Sequence, residues 1–222
     1  MHAIPPPIDI EVVRALVPVV QRKLVAGQYL YRAGQPFDAL YLVNLGFLKT
    51  CLIAEDGREQ VTGFRMRGDL IGIESIGADT HECDVVALET SGVWELPYPA
   101  ILRACAQMPE WHERLTWALA AEIRNDRSWK LALASLSSEQ RVAAFLLDLA
   151  SRHRVLGFSS RHFVLRMGRA DIGSFLALKH ETVTRALTRL AALGCIEVHW
   201  REIRILDAEA LRGVIQGQDQ AA

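Results

Sequence analysis

The 222-residue chain lacks any apolar run approaching the roughly 18 residues that a membrane span requires. Its opening, MHAIPPPIDIEVV, lacks the basic-then-apolar order of a secretory signal. A soluble, cytoplasmic protein with no membrane partner is therefore expected. Cysteine is scarce: Cys51, Cys83, Cys105 and Cys195 include no Cys-x-x-Cys pair, so neither a disulfide framework nor a structural zinc site is indicated. The simplest reading of all four is as small hydrophobes buried in a reducing compartment. Also missing are a phosphate-cradling glycine loop, a Ser-His-Asp order and a paired-carboxylate site. No catalytic residue is nominated, and an enzyme is not expected. His2, His112, His153, His162 and His199 share no ligand spacing, so no metal site is assigned to them.

What is present is centred on Arg166–Leu193, RMGRADIGSFLALKHETVTRALTRLAAL. Ile172, Phe175 and Leu176 lie at helical spacing, and after Ala177 and Leu178 a second stripe begins with Val183, Ala186, Leu187 and Leu190. The spacing predicts two short helices around a tight turn. In the second, His180, Glu181, Thr184, Arg185, Thr188 and Arg189 fall on the face opposite the stripe, the face that would enter the major groove of DNA. A packed helical pair with a solvated outer face has the same periodicity. Gly194 would end the second helix. CIEVHWREIRILD then alternates apolar and polar residues about a Trp200-Arg201 turn, predicting a small hairpin, a wing. Between residues 161 and 204 eight Lys or Arg face four Asp or Glu, a local balance of +4 in a chain whose net charge is -1. Such asymmetry is the footprint of phosphate binding.

From about Val19 to Pro97 the pattern is of short strands at 29–31, 39–43, 47–53, 60–64, 85–88 and 93–96, punctuated by glycines. A jelly roll, sandwich or barrel is expected, with Glu55-Asp56-Gly57-Arg58 as its clearest hairpin turn. Pro109 then opens a helix to about Leu136. Steps of three and four along it give Leu119, Ile123, Asp126, Lys130 and Leu133, a seam for a parallel homodimer. Trp111, Trp117 and Trp129 supply more apolar surface than a two-helix seam uses, so part of this helix packs on its own barrel. A further helix over 138–152 would start with Ser138 as its N-cap. The expected fold is α+β: a sensor jelly roll at 1–108, a dimerisation helix at 109–136 and a winged helix-turn-helix at 137–222.

This order of parts closely resembles the CRP/FNR family of bacterial transcription regulators, over nearly the full chain. AGQPFDALYLVNLGFLKT, EDGREQVTGFRMRGDLIGIESIG, ALETS, RVAAFLLDLASR and GRADIGSFLALKHETVTRAL look like the FNR branch. Glu181-x-x-Thr184-Arg185 is similar to the branch's Glu-x-x-Ser-Arg recognition motif, with Thr keeping the hydroxyl. The resemblance implies that Arg185 reads guanine and Glu181 the amino edge of the opposite strand, in a TTGAT-like half-site. Arg169, Lys179, His180 and Arg189 complete the candidate DNA-binding set. Lys179 departs from the usual Ser or Thr and forgoes a side-chain cap worth about 1 kcal/mol.

Two departures concern what is sensed. Cyclic-nucleotide binders of the family hold the cyclic phosphate with an Arg-Ser pair, and the matching positions here are Glu82 and Cys83, where a carboxylate repels a phosphate. The branch's iron–sulfur cluster needs four thiolates, yet no cysteine precedes Cys51, and the barrel position is Trp94. Cyclic AMP and an iron–sulfur cluster are thus not expected, and the effector is left open, with Glu74, Glu82 and Cys83 as pocket candidates. His81-x-Cys83, read as an exposed turn, could ligate haem or a metal, or be ordinary loop chemistry. Acidic Glu82 and Asp84 should raise the Cys83 pKa and make it a poor redox switch. The resulting expectation is a homodimeric transcription regulator, allosterically controlled from the barrel, with duplex DNA as partner and RNA polymerase as another if it activates. The rival is a sensor module acting through protein partners, its helix-turn-helix no longer binding DNA.

Overall fold

The computed structural model describes Arg14 and residues 17–217, apart from the Glu110 side chain. It forms two compact units, Met1–Arg124 and Asn125–Ala222, which meet inside the long helix. The expected divisions at 108 and 136 fall on either side of this boundary.

The first unit holds two antiparallel four-stranded sheets. One has the order β1 (Val20–Leu24), β8 (Ser91–Pro97), β3 (Ala39–Leu45), β6 (Leu70–Ile71). The other runs β2 (Tyr29–Tyr31), β7 (Asp84–Ala87), β4 (Leu48–Ile53), β5 (Glu59–Arg65). Strand β3 shows why the chain reads ALYLV with no polar break. Its Ala39, Tyr41 and Val43 enter a core shared with Leu48 and Val85 of the facing sheet. Its Leu40 and Leu42 point the other way, onto helix α1 (Tyr98–Gln107) and Trp111. With both faces covered, the period-two alternation survives in side-chain direction but disappears from the hydropathy. The β4–β5 hairpin turns through Gly57 at φ +81°, with Gly57 N–H donating to Ala54 O at 2.8 Å.

Three elements of this unit were not anticipated. Strand β1 is exposed at four of its five residues and so has no apolar signal; β6 has two residues. Helix α1 follows β8 directly, beginning at Tyr98 with Pro99 in its first turn, where a missing N–H costs nothing.

Helix α2 (Pro109–Ser135) spans both units. In the second unit α3 (Ser138–Val155) is capped by Ser137 rather than Ser138. Gln140 N–H donates to Ser137 Oγ (3.4 Å) and Ser137 N–H to Gln140 Oε1 (2.8 Å), a reciprocal pair that only the Ser137/Gln140 spacing allows. Gln140 Nε2 also donates to Val214 O and Ile215 O, at the end of helix α6 (Ala208–Ile215). The expected helix pair is α4 (Arg169–Leu176) and α5 (His180–Ala192), joined through Ala177 at φ +53°. The wing is β10 (Ile196–His199) and β11 (Glu202–Ile205), extended to three strands by β9 (His162–Val164), which pairs with β11. Strand β9 and helix α6 lie outside what the sequence indicated, each being too short to show a period.

The helix-turn-helix angle depends on Gly173. Leu178 N–H donates to Gly173 O at 2.8 Å, and a Cβ on Gly173 would stand 2.6 Å from Leu178 O, a backbone atom that cannot swing aside. Gly173→Ala should therefore destabilise the second unit by about 1–3 kcal/mol despite alanine's better helix propensity. Thermal unfolding of the full chain would register this as a lowered melting temperature; an unchanged or raised value would show the turn can relax.

Candidate nucleic-acid interface

Helix α5 divides cleanly into two faces. Val183, Ala186, Leu187 and Leu190 are 0–3% exposed, whereas His180, Glu181, Thr184, Arg185, Thr188 and Arg189 are all exposed. At 13 residues the helix is about 20 Å long. The outward side chains make only local contacts. Thr184 Oγ1 donates to His180 O (3.1 Å), Thr188 Oγ1 to Thr184 O (3.1 Å) and Arg185 Nη2 to Thr182 Oγ1 (3.3 Å). His180 Nε2 lies 3.2 Å from Glu181 Oε1. Lys179 is the N-cap and makes no side-chain cap bond. Lys179, Arg185 and Arg189 meet no carboxylate among the described residues, so three cations are presented to solvent unneutralised. Such a surface suits phosphates and base edges.

Arg169 is placed differently from the rest of the candidate set. It opens α4, is half-buried, and donates from Nη2 to Trp200 O at the wing turn (2.9 Å). Burial and the neighbouring Arg201 lower its pKa. It anchors the wing to the helix pair.

On α2, Ile123 is 53% and Leu131 68% exposed, and Asp126 and Lys130 are exposed as well. Leu119 and Leu133 are half-buried, and Leu119 packs against the barrel's helix-side core. The apolar surface left uncovered is thus centred on Ile123 and Leu131, and Leu131 was not in the expected seam. Trp111 enters the same core, and Trp129 meets Phe175 of α4 edge-on at 4.8 Å.

In the barrel, two expectations are corrected. His81 and Cys83 do not lie in an exposed turn; they are 2% and 5% exposed, because the chain entering β7 passes over the core. The His81 ring stacks on Tyr31 at 3.5 Å and 9°, with the edge of Phe37 at 5.4 Å, and its Nδ1 is buried without a hydrogen-bond partner. Cys83 Sγ and Tyr31 OH both donate to Glu74 Oε1, at 3.2 and 3.0 Å. The Cys83 thiol pKa is indeed raised, but by burial first and then by Glu74, not by its sequence neighbours. Burial and Glu74 also raise the Tyr31 phenol. Of the pocket candidates, Glu74, itself exposed, and Cys83 come together, while Glu82, also exposed, donates its N–H to Ser75 Oγ (3.1 Å).

Sequence reasoning missed Tyr31, which lies 43 residues from its partner Glu74, and the ion pair of Arg65 with Glu122. The Arg65 guanidinium forks onto that carboxylate, with Nη1 to Oε2 at 2.8 Å. Burial works against its charge, but the carboxylates of Glu122, Asp69 and Glu74 together outweigh it and raise the pKa. No local pattern marks either contact. No group of three or more His, Cys, Asp or Glu that could hold a metal occurs among the described residues.

Residues 140–214 match the Crp-like helix-turn-helix domain family and residues 21–108 the cyclic nucleotide-binding domain family. The chain is 36% identical over 197 residues to the transcriptional activator protein Anr of Pseudomonas aeruginosa, covering 89% of this chain and 81% of that one. It is 37% identical over 195 residues to the fumarate and nitrate reduction regulatory protein of Escherichia coli K12, covering 87% and 78%. Among solved structures, FixK2 from Bradyrhizobium japonicum superposes with a TM-score of 0.81 at 26% identity, over 92% of this chain and 98% of that one.

The buried imidazole has a pH consequence. Burial lowers the His81 pKa, opposed by Glu74 and Asp38, so the folded barrel favours the neutral ring. The stability it contributes is complete above the ordinary value of about 6.5 and is lost as pH falls from there through the lowered value. His153, with its pKa lowered by burial, Arg152 and Arg166, acts in the same sense in the second unit. The melting temperature should fall between about pH 7 and about pH 5, and His81→Gln should make that fall shallower. Parallel wild-type and mutant slopes would remove His81 as a cause.

Proposed function

Because the chain belongs to the CRP/FNR family of DNA-binding transcription regulators, we propose that it works as a cytoplasmic homodimer reading a palindrome of TTGAT-like half-sites, under allosteric control from its barrel. The observation that carries this reading is the outer face of α5. Glu181, Thr184 and Arg185 are rigidly presented there, and none is needed to hold the helix in place. Arg185 reads the guanine in bidentate fashion, Glu181 accepts from a cytosine amino group across the pair, and Lys179 and Arg189 take phosphates. Two such helices, held by paired α2 segments through Ile123 and its neighbours, reach half-sites about one helical turn apart. The protein acts by occupancy of DNA rather than by turnover, with RNA polymerase as its further partner where it activates.

The signal entering the barrel is of neither kind that the resemblance suggests first. A cyclic phosphate does not fit: the Glu74 carboxylate occupies the polar centre of the cluster, and Arg65, the guanidinium that senses Glu74, is committed to Glu122. A second anion beside the Glu74 carboxylate would meet like-charge repulsion. An iron–sulfur cluster needs four thiolates, and the first unit holds Cys51, Cys83 and Cys105, the first two buried.

Arg185→Ala should cost roughly 1–3 kcal/mol on an inverted TTGAT duplex and flatten the preference at the guanine, whereas Lys179→Ala should weaken all duplexes alike. Selection from random duplexes, followed by titration, measures both. Recovery of no palindrome would move the reading to a module acting through protein partners. A separate outcome concerns the dimer. Asp126 lies between Ile123 and Lys130 on an exposed face, and in a parallel pair its two copies repel across the axis. Asp126→Ala should tighten the dimer in sedimentation at low concentration and raise DNA affinity without a signal; unchanged association would place Asp126 off the seam.

A further inference from the structure

The barrel keeps an imidazole where an apolar ring would pack as well. His81 is stacked on Tyr31 of β2 at 3.5 Å and met by the edge of Phe37 at 5.4 Å, with Tyr41 of β3 at 6.3 Å. Its buried Nδ1 has no hydrogen-bond partner among the described residues. Phenylalanine in the same space would avoid that unsatisfied nitrogen. Two carboxylates act on the ring, Glu74 of the Ile73–Ser75 turn and Asp38 just before β3. Both are exposed, and Glu74 already accepts from Tyr31 OH and Cys83 Sγ. Burial raises the pKa of Tyr31, Tyr41 and Cys83, so these neighbours stay neutral at physiological pH. On the segment of His81 itself, Asp79 and Glu82 are exposed to solvent.

That segment is laced to the chain entering β3. Gly34 N–H donates to His81 O (2.9 Å), His81 N–H to Gln35 O (2.8 Å) and Phe37 N–H to Asp79 O (3.0 Å), with Pro36 bridged to Thr80. Asp38 O in turn accepts from the N–H of Tyr98, the first residue of α1, at 2.8 Å. The side chains repeat the connection. Phe37 meets Tyr98 at 5.1 Å, and both pack on the core that holds Ile101 of α1 and Trp111 of α2, together with Leu115 and Leu119. Backbone and packing therefore both carry a displacement of the His81 ring to the seat of α2, the helix that continues into the second unit.

We propose that His81 is an acid-responsive switch: a proton taken up by its ring releases α1 and α2 from the packing described and lowers the affinity for DNA. This regulation rests on the reading of the chain as a DNA-binding regulator controlled from its barrel, and it names the proton as a signal. Once protonated, both ring nitrogens are donors, and Nδ1 has no acceptor in its present surroundings. The imidazolium reaches one by leaving Tyr31 for solvent, or by drawing in Glu74 at the expense of the phenol and the thiol. Either movement gives up the Tyr31 stack and the Phe37 edge. Burial opposes the charged ring more than Glu74 and Asp38 favour it, so the described packing belongs to the neutral form. That packing is complete above the ordinary value of about 6.5 and is lost as pH falls from there through the lowered value.

The test titrates an inverted TTGAT duplex at about pH 7.5 and about pH 5.5 with wild type, His81→Phe and His81→Gln, at constant ionic strength. Wild type should lose about three- to tenfold in affinity relative to the variants, one proton being limited to about tenfold per pH unit. The remaining histidines are common to all three proteins and cancel in the comparison. Without DNA, the near-ultraviolet circular dichroism of the full chain should change over the same range in wild type, with the far-ultraviolet signal constant, and should not change in the variants. Parallel affinity profiles would overturn the proposal, and so would a near-ultraviolet transition that the variants share or the wild type lacks. Should both variants fail to fold, imidazole NMR of the wild type decides: the His81 ring should titrate together with the loss of affinity, and a ring still neutral at about pH 5 would overturn the switch. Wild type binding no duplex at either pH would overturn the reading of α5, and the near-ultraviolet comparison would still decide whether the barrel switches.

Discussion

The second unit depends on one close approach, that of helix α4 to the turn that follows it. Leu178 reaches back to Gly173 O, Ala177 takes up the left-handed conformation that permits this, and the missing Cβ at Gly173 leaves the space. Arg141 secures the same corner from α3, donating to Leu136 O and Leu176 O and so satisfying a helix-end carbonyl that would otherwise be orphaned. With α4 and the turn fixed, the direction of α5 is fixed, and its outer side chains stand on a rigid base. A major groove about 12 Å wide tolerates little angular error. Binding by a preorganised helix also avoids the ordering cost that a mobile one would incur.

In the first unit, polar groups are arranged around two carboxylates rather than around an open cation. Glu74 collects a phenol and a thiol, and Glu122 of α2 takes the Arg65 fork from β5. The second of these ties a barrel strand to the helix that carries the exposed Ile123. With side chains 14% and 26% exposed, the pair is partly shielded from solvent, so loss of one partner would strand a poorly hydrated charge. The unpaired His81 Nδ1 adds a second site where protonation and packing are coupled. Glu74 and Glu122 both act electrostatically on Arg65, each raising its pKa.

The parts legible in the sequence were those whose signal is local. The α4–α5 pair and the Trp200-Arg201 hairpin showed because one face is buried and the other wet, and that contrast prints a period on the chain. The outward set from His180 to Arg189 followed from the same period. Strand β1 and helix α6 stayed hidden because the first is exposed at four of five positions and the second is eight residues long. Ser138 was mistaken for Ser137 as a cap because both are serines, and only the Gln140 partner distinguishes them. Leu131 was missed as uncovered surface because exposure on α2 depends on what its neighbours bury, not on its own spacing.

By itself, the sequence determined the order of parts, the two-faced pattern of α5 and the residue types found at Glu82, Cys83 and Trp94. These are properties of residue type at fixed spacing along one element. Only the tertiary structure decided that His81 and Cys83 are buried, that Glu74 joins Tyr31 to Cys83, that Arg65 belongs to Glu122, and that Arg169 holds the wing. Those facts join residues 9 to 57 positions apart. Which of many possible partners meet across such distances is set by how sheets and helices close on one another, and no periodicity along the chain encodes it.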